Sequence, residues 1–459
     1  MKPAILILNA GSSSVKFAVY AQADTLSVLL RGSIAALGSA PRLTVRSLAE
    51  TYPDRLIGNA PMSPGTAGQV IFDELAQRGM TKAIAAVGHR IVHGGQHFTQ
   101  PTVLNAAVIG QLHQLATLAP LHQPANLKIV ALASERLPTA LQIGAFDTAF
   151  HAGRPNIDRL YALPRSLSDD GIVAYGFHGL SYAHIAAVLR ARDGPRAGGR
   201  AIVAHLGSGA SMCAMNAGQS IATTMGFSAL DGLVMSTRCG TLDPAIVLHL
   251  MQQRQMTAEA VQDLLHNRSG LLGVSQISGD MATLLQSADP RAAEAIALFV
   301  YRAGRAIGSL AAALGGLDTL VFTAGIGEHA PRIRALICQS ATWLGARMDT
   351  GLNTRGETVI SDQGSGVEIL VIPADEERTV AAAVLACMRQ RPDAPPRESE
   401  ARGPSTNGRH QISDHTHQGL GLSKKPNRRI RAFSISSTVI TRMPIPKIMA
   451  PSTNVSGAL

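Results

Sequence analysis

Cysteine is scarce in this 459-residue chain, which has only Cys213, Cys239, Cys338 and Cys387. The four lie too far apart for a CxxC ligand pair and are too few for a disulfide framework of this size, so they read as ordinary thiols in a reducing compartment. Charge is sparse too, at 16% of residues against 46% hydrophobic, which excludes wholesale disorder and leaves material for a substantial core. On a scale of roughly 100 to 200 residues per domain, the length suits two or three domains rather than a lone binding module. A secretory leader is not expected, because Asn9 and Gly11 interrupt the short apolar run of MKPAILILNAGSSS. A membrane span is not expected either. The longest apolar region, 303–327, carries Arg305, Asp318 and the pair Gly315-Gly316, which suits a buried helix followed by a buried strand. The chain therefore reads as a soluble, cytoplasmic protein.

The formal charge of +10 suggests a nucleic-acid partner until it is divided along the chain. Residues 391–459 hold a net +7, leaving +3 for residues 1–390. That tail is dense in Pro, Ser and Arg, has no sustained period, and contains one aromatic, Phe433. It reads as a solvated, disordered appendage, not as a basic face interleaved with stacking residues. No nucleic-acid or membrane partner is expected.

One order of elements occurs twice. Ile5 to Leu8 reads as a buried strand, 9–14 as a turn, Val15 to Tyr20 as a returning strand, and Ser27 to Arg31 as a third. Ala83 to Val87 and Leu141 to Phe146 then alternate with helical patterns. Farther on, Ala201 to Leu206, the turn 207–211, Met212 to Met215 and Ser220 to Thr224 repeat the opening, and Asp318 to Thr323 and Val367 to Ile372 complete it. Ile296, Val300, Ala303, Ile307, Leu310, Ala311 and Leu314 recur at three and four residues, predicting a long amphipathic helix capped by Gly315-Gly316. The expected fold class is α/β, with two duplicated units facing each other across a cleft suited to a small-molecule site.

Two Gly/Ser hairpin turns at equivalent places suggest phosphate handling, since small residues let backbone N–H groups approach an anion. GxxxxGK[ST] is absent, so neither is a P-loop. The segment 321–330, VFTAGIGEHA, runs from a strand through G-x-G-x-x-A to a helix expected near Pro331, which fits a nucleotide at a glycine turn. In GHRIVHGG the two histidines are four apart, but Arg90 follows the first and Gly94-Gly95 oppose a helix, so a zincin site is not expected. Arg90 suits either a salt bridge between domains or a guanidinium fork for phosphate or carboxylate. Asp147 and His178 lie beyond or between apolar stretches, where hydrogen-bonded structural roles compete with catalytic ones. Arg238 adds a second arginine in a polar turn.

Taken together, ILNAGSSSVKF, GHRIVHGG, LAPLHQPANL, FDTAFH, YGFHG, HLGSGAS, MSTRCG, FTAGIGE and PADEE, in that order, resemble the acetokinase family of the sugar kinase, heat-shock ATPase and actin superfamily. The resemblance covers about residues 4–388 and stops before the tail. It implies two duplicated actin-like ATPase (ribonuclease H-like) domains with the active site between them, residues 1–148 and 149–375. The helix 376–390 would pack back on the first, and the second would bind nucleotide. It implies reversible, in-line phosphoryl transfer from Mg-ATP, with Mn2+ as a possible substitute metal, to acetate, giving acetyl phosphate and ADP, by a homodimer. Arg90 and Arg238 would stabilise the migrating group and orient the carboxylate, His178 would hydrogen-bond a transition-state oxygen, and Asp147 would position an arginine or the substrate. Asn9 and Glu376 match metal-associated positions, and Ser12, Ser14 and Lys16 lie near the phosphates. His205, Gly207, Ser208 and Gly209 form the second phosphate turn, Asp280 lies near the nucleoside, and Gly325, Ile326, Gly327 and Glu328 form the adenosine turn. Val92, Leu121, Phe177 and Ala229 would wall the acyl pocket.

Some positions depart from the family pattern. Ser208 replaces the usual Asn, Ala282 a common Arg against the adenine, Leu180 and Tyr182 the usual Thr and His, and Ala229 a Pro beside the acyl group. Nucleotide base choice and acyl preference are the properties these departures touch. The alternatives are a propionate or other short-chain acyl kinase, an NAD-dependent oxidoreductase resting on GIGEHA, and a non-catalytic nucleotide sensor. The oxidoreductase needs an acidic residue at the end of a second parallel strand about 20 positions on, and Asp349 follows a helix-like run instead. Intact Arg90, Asp147, His178 and Arg238 argue against the sensor. Because every motif ends before the tail, deleting Arg391 to Leu459 should leave thermal midpoint and turnover essentially unchanged. A large fall in either after truncation would show that the tail docks on the enzyme body.

Overall fold

The computed structural model describes residues 3–390 apart from 12, 13, 24, 48, 49, 51, 121 and 193–198. Ser12, Leu121 and the tail 391–459, each singled out above, lie outside the described residues. The described residues form one compact unit built on two sheets.

The first sheet contains β1 (Ala4–Ala10), β2 (Val15–Ala21), β3 (Val28–Ala35), β4 (Arg42–Ser47), β5 (Arg55–Leu56), β6 (Ile84–Ile91), β7 (Thr102–Val103) and β8 (Leu141–Phe146), in the order β5-β4-β3-β2-β1-β6-β8-β7. The second contains β9 (Arg200–Leu206), β10 (Ala210–Asn216), β11 (Gln219–Thr223), β12 (Thr319–Thr323) and β13 (Glu368–Val371), ordered β11-β10-β9-β12-β13. The duplication is visible in the pairing. β3-β2-β1 and β11-β10-β9 are antiparallel meanders, and each continues through two parallel strands, β6 and β8 or β12 and β13. β4, β5 and β7 extend only the first sheet. β4, RLTVRS, alternates with Leu43 and Val45 buried, whereas the two-residue β5 and β7 are too short to announce a strand.

Both sheets are covered on two faces, so their central strands are apolar throughout. Leu6 and Leu8 of β1 pack under α1 (Pro64–Gln77) and α2 (Gln123–Arg136) through Ile71, Phe72 and Ile129. Ile5 and Ile7, pointing the opposite way, meet Val380, Ala381 and Val384 of the last described helix, Glu376–Arg389. The helix α3 (Gly179–Arg190) joins the two halves. Its Leu180 sits in the cluster on the first sheet, while Tyr182, Ile185, Ala186 and Leu189 pack on Val203, Cys213 and Val321 of the second.

The expected long helix is α4 (Pro290–Leu314), which packs Phe299, Ala303, Ile307 and Leu310 against Ile202, Met212 and Phe322. Gly315 ends it in the left-handed conformation, φ 69°, and Gly316 N–H reaches back to the Ala311 carbonyl. α4 is long and apolar enough to cross a membrane, and its inner face is part of this core. The glycine turn after β12 differs from the expectation. Rather than a loop leading to Pro331, Ala324–His329 already form a short helix, α5, followed by α6 (Pro331–Ser340). Arg334 of α6, 1% exposed, explains the extra turn: its guanidinium donates to the carbonyls of Gly327 and Glu328, satisfying the end of α5. The final helix is α7 (Glu376–Arg389).

Candidate active site

A cavity of about 510 Å3 opens where the carboxyl ends of β1, β6, β8, β9 and β12 converge, the usual ligand position in open α/β sheets. Arg90, at the end of β6, forms its centre. Its Nε and Nη2 donate to both oxygens of Asp147 at 2.7 to 3.1 Å, and Nη1 donates to Asn9 Oδ1 at 3.0 Å and approaches Glu376 Oε2 at 3.2 Å. Asn9 Nδ2 in turn donates to Glu376 Oε2 at 3.1 Å. One guanidinium thus ties together the ends of β1, β6 and β8 and the start of α7. Burial and the Asp147 and Glu376 carboxylates surround it, with a net upward effect on the Arg90 pKa, so it stays charged. Burial pushes the Asp147 carboxyl upward while Arg90 pulls it back, and the pair's three hydrogen bonds favour the ion pair. For Glu376, the opposing pull of Arg90, His205 and Lys16 outweighs burial and lowers its pKa.

Arg238 is different. Its Nη1 donates to the Ala229 carbonyl at 2.7 Å, and among the described residues no carboxylate lies within ion-pair distance of it. Burial and the Arg90 charge both lower its pKa. A largely buried guanidinium without a carboxylate partner is a site for an anion from solution.

His178 lies opposite, at φ 57° before α3. The strain is held by backbone: the next residue, Gly179, donates its N–H to the Asp147 carbonyl, and a Cβ at 179 would meet that oxygen at 2.1 Å. His178 stacks on His205 with ring centroids 4.2 Å apart. Burial, His205, Arg90 and Arg238 hold His178 well below the usual imidazole range, and burial with nearby Arg90 and Lys16 brings His205 to about 4. Both are therefore neutral at pH 7. Gly209 lies between the two cavity groups: a Cβ there would sit 3.0 Å from Arg238 Nη2 and 3.2 Å from His178 Nε2. A side chain at 209 would occupy the space these donors face.

The structure brings most of the anticipated residues to this cavity. Asn9, Ser14, Lys16, Arg90, Val92, Asp147, Phe177, His178, His205, Gly207, Ser208, Gly209, Ala229, Arg238, Gly325, Glu328 and Glu376 line it. Asp280, Ile326 and Gly327 do not. Asp280 caps the helix Met281–Gln286, accepting from Thr283 N and Oγ1, Ile326 packs on the core of the second sheet, and Gly327 is buried with its carbonyl on Arg334. The phosphate-turn idea changes in detail as well: Gly11 and Gly207 spend their N–H groups closing the turns on the Ser14 and Gly209 carbonyls. Glu328 Oε1 accepts the Ala374 N–H, joining the adenosine turn to the chain entering α7. Asp349 caps the short helix Thr350–Arg355, far from a strand end, which removes the ribose-binding acid that the oxidoreductase reading needs.

Several contributors had no strong sequence signal. His122 lines the cavity, and burial with the Arg238 and Arg90 charges lowers it to about 4. Asn126 bridges the Ala10 carbonyl and the Val92 N–H, fixing the entrance of two cavity segments. The hint was a pair of amides, Gln123 and Asn126, on an otherwise buried helical face. Ser211 and Tyr182 stand behind His178, linked to it by hydrogen bonds.

Comparison with known proteins decides the family. The acetokinase family matches residues 4–382. The acetate kinase of Rhodopseudomonas palustris (strain TIE-1) is 48% identical over 388 residues, covering 83% of this chain and 97% of the relative. The chain belongs to the acetokinase family. Crystal structures agree: a propionate kinase from Francisella tularensis gives a TM-score of 0.76 at 33% identity, covering 83% of this chain and 98% of that one. The Porphyromonas gingivalis acetate kinase gives 0.73 at 33% identity, covering 84% and 99%. The fold is accordingly that of duplicated actin-like ATPase domains, and membership makes the chain a phosphotransferase with a carboxyl-group acceptor.

The buried histidines set an acid limit on stability. His89 and His151, both essentially unexposed, are lowered by burial to about 4 and about 3 against an ordinary 6.5. An imidazole whose folded pKa lies below its unfolded pKa lets the unfolded chain bind the extra proton. Stability is therefore full above pH 6.5 and declines as pH falls toward 4, by on the order of 3 kcal/mol per histidine. Urea titrations between pH 7.5 and 4 should show a falling midpoint, and a flat profile would mean that these rings are charged in the folded protein.

Proposed function

We propose that the protein phosphorylates acetate reversibly with Mg-ATP, forming acetyl phosphate and ADP by direct in-line transfer. The observation that carries this reading is Arg238, a buried guanidinium without a carboxylate partner that faces the same space as neutral His178 across Gly209. Phosphoryl transfer needs positioning and charge neutralisation more than covalent chemistry. An acetate carboxylate is already ionised at pH 7, so it attacks without a strong base.

In this reading Arg238 binds the migrating phosphoryl oxygens, His178 hydrogen-bonds one of them, and Arg90 supplies a fixed positive charge oriented by Asp147. Triphosphate lies along the 207–209 turn, Ser14 and Lys16, with the nucleoside toward Gly325 and Glu328. Asn9 and Glu376 offer hard oxygen donors suited to Mg2+ or Mn2+, which take few protein ligands beside substrate phosphates. Among the described residues there is no cluster of three acidic, His or Cys ligands, as that mode of binding allows. The metal would neutralise phosphate charge. A cytoplasmic homodimer belongs to the same reading, supported by an exposed apolar strip around Tyr301 on α4 and the nearby Trp343.

Arg238→Ala should lower turnover by on the order of a thousandfold while leaving the thermal midpoint and ATP binding near those of the unmodified protein. Arg90→Ala should lower turnover similarly but also destabilise by about 3 to 5 kcal/mol, because Asp147 is left buried and unpaired. A coupled assay for ADP release with circular dichroism melting checks both. Near-normal turnover in either variant would refute the role given to that arginine.

Val92, Phe177 and Ala229 form the apolar side of the cavity. A methylene is worth about 1 to 3 kcal/mol of discrimination in such a pocket, so an alanine in place of proline leaves room to weaken a preference for acetate. Propionate should be used at a kcat/KM within about tenfold of acetate, equal to roughly 1.4 kcal/mol. Ala229→Pro should shift the ratio toward acetate, since proline keeps the carbonyl that Arg238 holds. An unchanged ratio would mean that residue 229 does not sense the acyl group.

A further inference from the structure

Tyr182 lies one helical turn beyond His178 and is entirely buried. Its Oη is 2.5 Å from Ser211 Oγ, and that hydroxyl is 2.8 Å from His178 Nδ1. Ser211, on β10, is also fully buried. We propose that Tyr182, acting through Ser211, fixes the tautomer of His178 so that Nε2 carries the proton and faces the cavity as a hydrogen-bond donor. The proposal rests on the phosphoryl-transfer reading and makes Tyr182 a positioning residue, since it touches no reacting atom.

Among the described residues Ser211 Oγ is the one hydrogen-bond partner of the Tyr182 hydroxyl. If the phenol accepted from Ser211, its own proton would be buried without an acceptor, at a cost of about 1 to 3 kcal/mol. Donation to Ser211 Oγ is therefore the stable arrangement. Ser211 must then direct its single proton to its other partner, His178 Nδ1. Burial raises the Tyr182 pKa well above 10, so the first donor keeps its proton. His178 is held neutral by burial and by His205, Arg90 and Arg238, so with Nδ1 accepting, the ring proton resides on Nε2.

The consequence lies at Gly209, where His178 Nε2 and Arg238 Nη2 approach the same point. With Nε2 protonated, an anionic oxygen there meets two donors. The other tautomer presents a lone pair to that oxygen and repels it. Ser211 has two partners and cannot select the tautomer by itself, because its hydroxyl rotates to suit either; the phenol removes that freedom. The relay is built from this chain's own Tyr182, Ser211 and His178.

The test uses the full-length, 15N-labelled protein and long-range 1H–15N correlation of the imidazoles, with His178 assigned by its loss in His178→Asn. Unmodified protein should show His178 as a single Nε2–H tautomer. Tyr182→Phe, which keeps the ring packed on Phe150, should show both tautomers. Its kcat should fall about tenfold, less than the hundredfold or more that losing a donor outright costs, with KM for MgATP and acetate within about twofold. Ser211→Ala should abolish the tautomer preference by a second route if Tyr182→Phe melts early. An Nδ1–H tautomer in the unmodified protein, or variants that keep both tautomer and kcat, would overturn the proposal. Failure of the functional reading is separate: no carboxylate would then support ADP release, while the imidazole signals would still report the relay.

Discussion

The site depends on one buried guanidinium. Arg90 takes Asp147 in a forked grip and extends its remaining nitrogen to Asn9 and Glu376, so four chain segments separated by up to 367 positions meet at one charged group. Parallel strands have no tight turn to align their carboxyl ends, and backbone pairing stops where the strands stop. Beyond that point side chains must set the geometry. The fork sets both distance and plane, which a lysine point charge could not do. This arrangement also explains why Arg90 and Arg238 are not equivalent: the first is saturated by protein acceptors and acts as fixed scaffold and field, whereas the second retains donors for something outside the chain.

The neutral histidines follow from the same constraint. Burial, reinforced by the nearby Arg90 and Arg238 charges, disfavours the protonated form of His178 and His122, and both rings stay neutral. The cavity thus combines guanidinium charge with neutral imidazoles. Asp147 and Glu376 pair with Arg90, and Glu328 on the second half holds the Ala374 N–H, so Arg238 is the cavity guanidinium that no described carboxylate pairs with.

Periodicity made the strands of both sheets legible, because central strands covered on two faces are apolar runs bounded by Gly/Ser turns. The parallel pairing of β1 with β6 and of β9 with β12 repeats the duplicated order of elements. The edge strands β5 and β7 were not legible, since two residues carry no period, and the alternating β4, which lies between β3 and β5, was missed. At the site, Arg90 stood out at the end of a buried strand, Asp147 and His178 beyond or between apolar stretches, and Arg238 as a second arginine in a polar turn. Asp280, which the family resemblance alone brought in, caps the helix Met281–Gln286 and lies outside the cavity lining. Arg334, Asn126 and Tyr182 were illegible for a deeper reason: each acts through a partner distant in sequence, and nothing local distinguishes it from a core or surface residue.

The loop carrying Ala229 shows how tightly substrate fit and charge are joined. Ala229 faces the apolar side of the cavity with its side chain, and its carbonyl accepts the Arg238 guanidinium at 2.7 Å. In the proposed reading, the residue beside the acyl chain and the guanidinium at the phosphoryl oxygens are therefore separated by one hydrogen bond. A longer acyl chain that pushes residue 229 outward must either stretch that bond or drag Arg238 with it, and a guanidinium moved by even 1 Å loses much of its value to a transition state. Acyl-length selectivity in this protein should consequently be expressed in kcat as well as in KM, because a poorly fitting substrate displaces the charge that its own reaction requires.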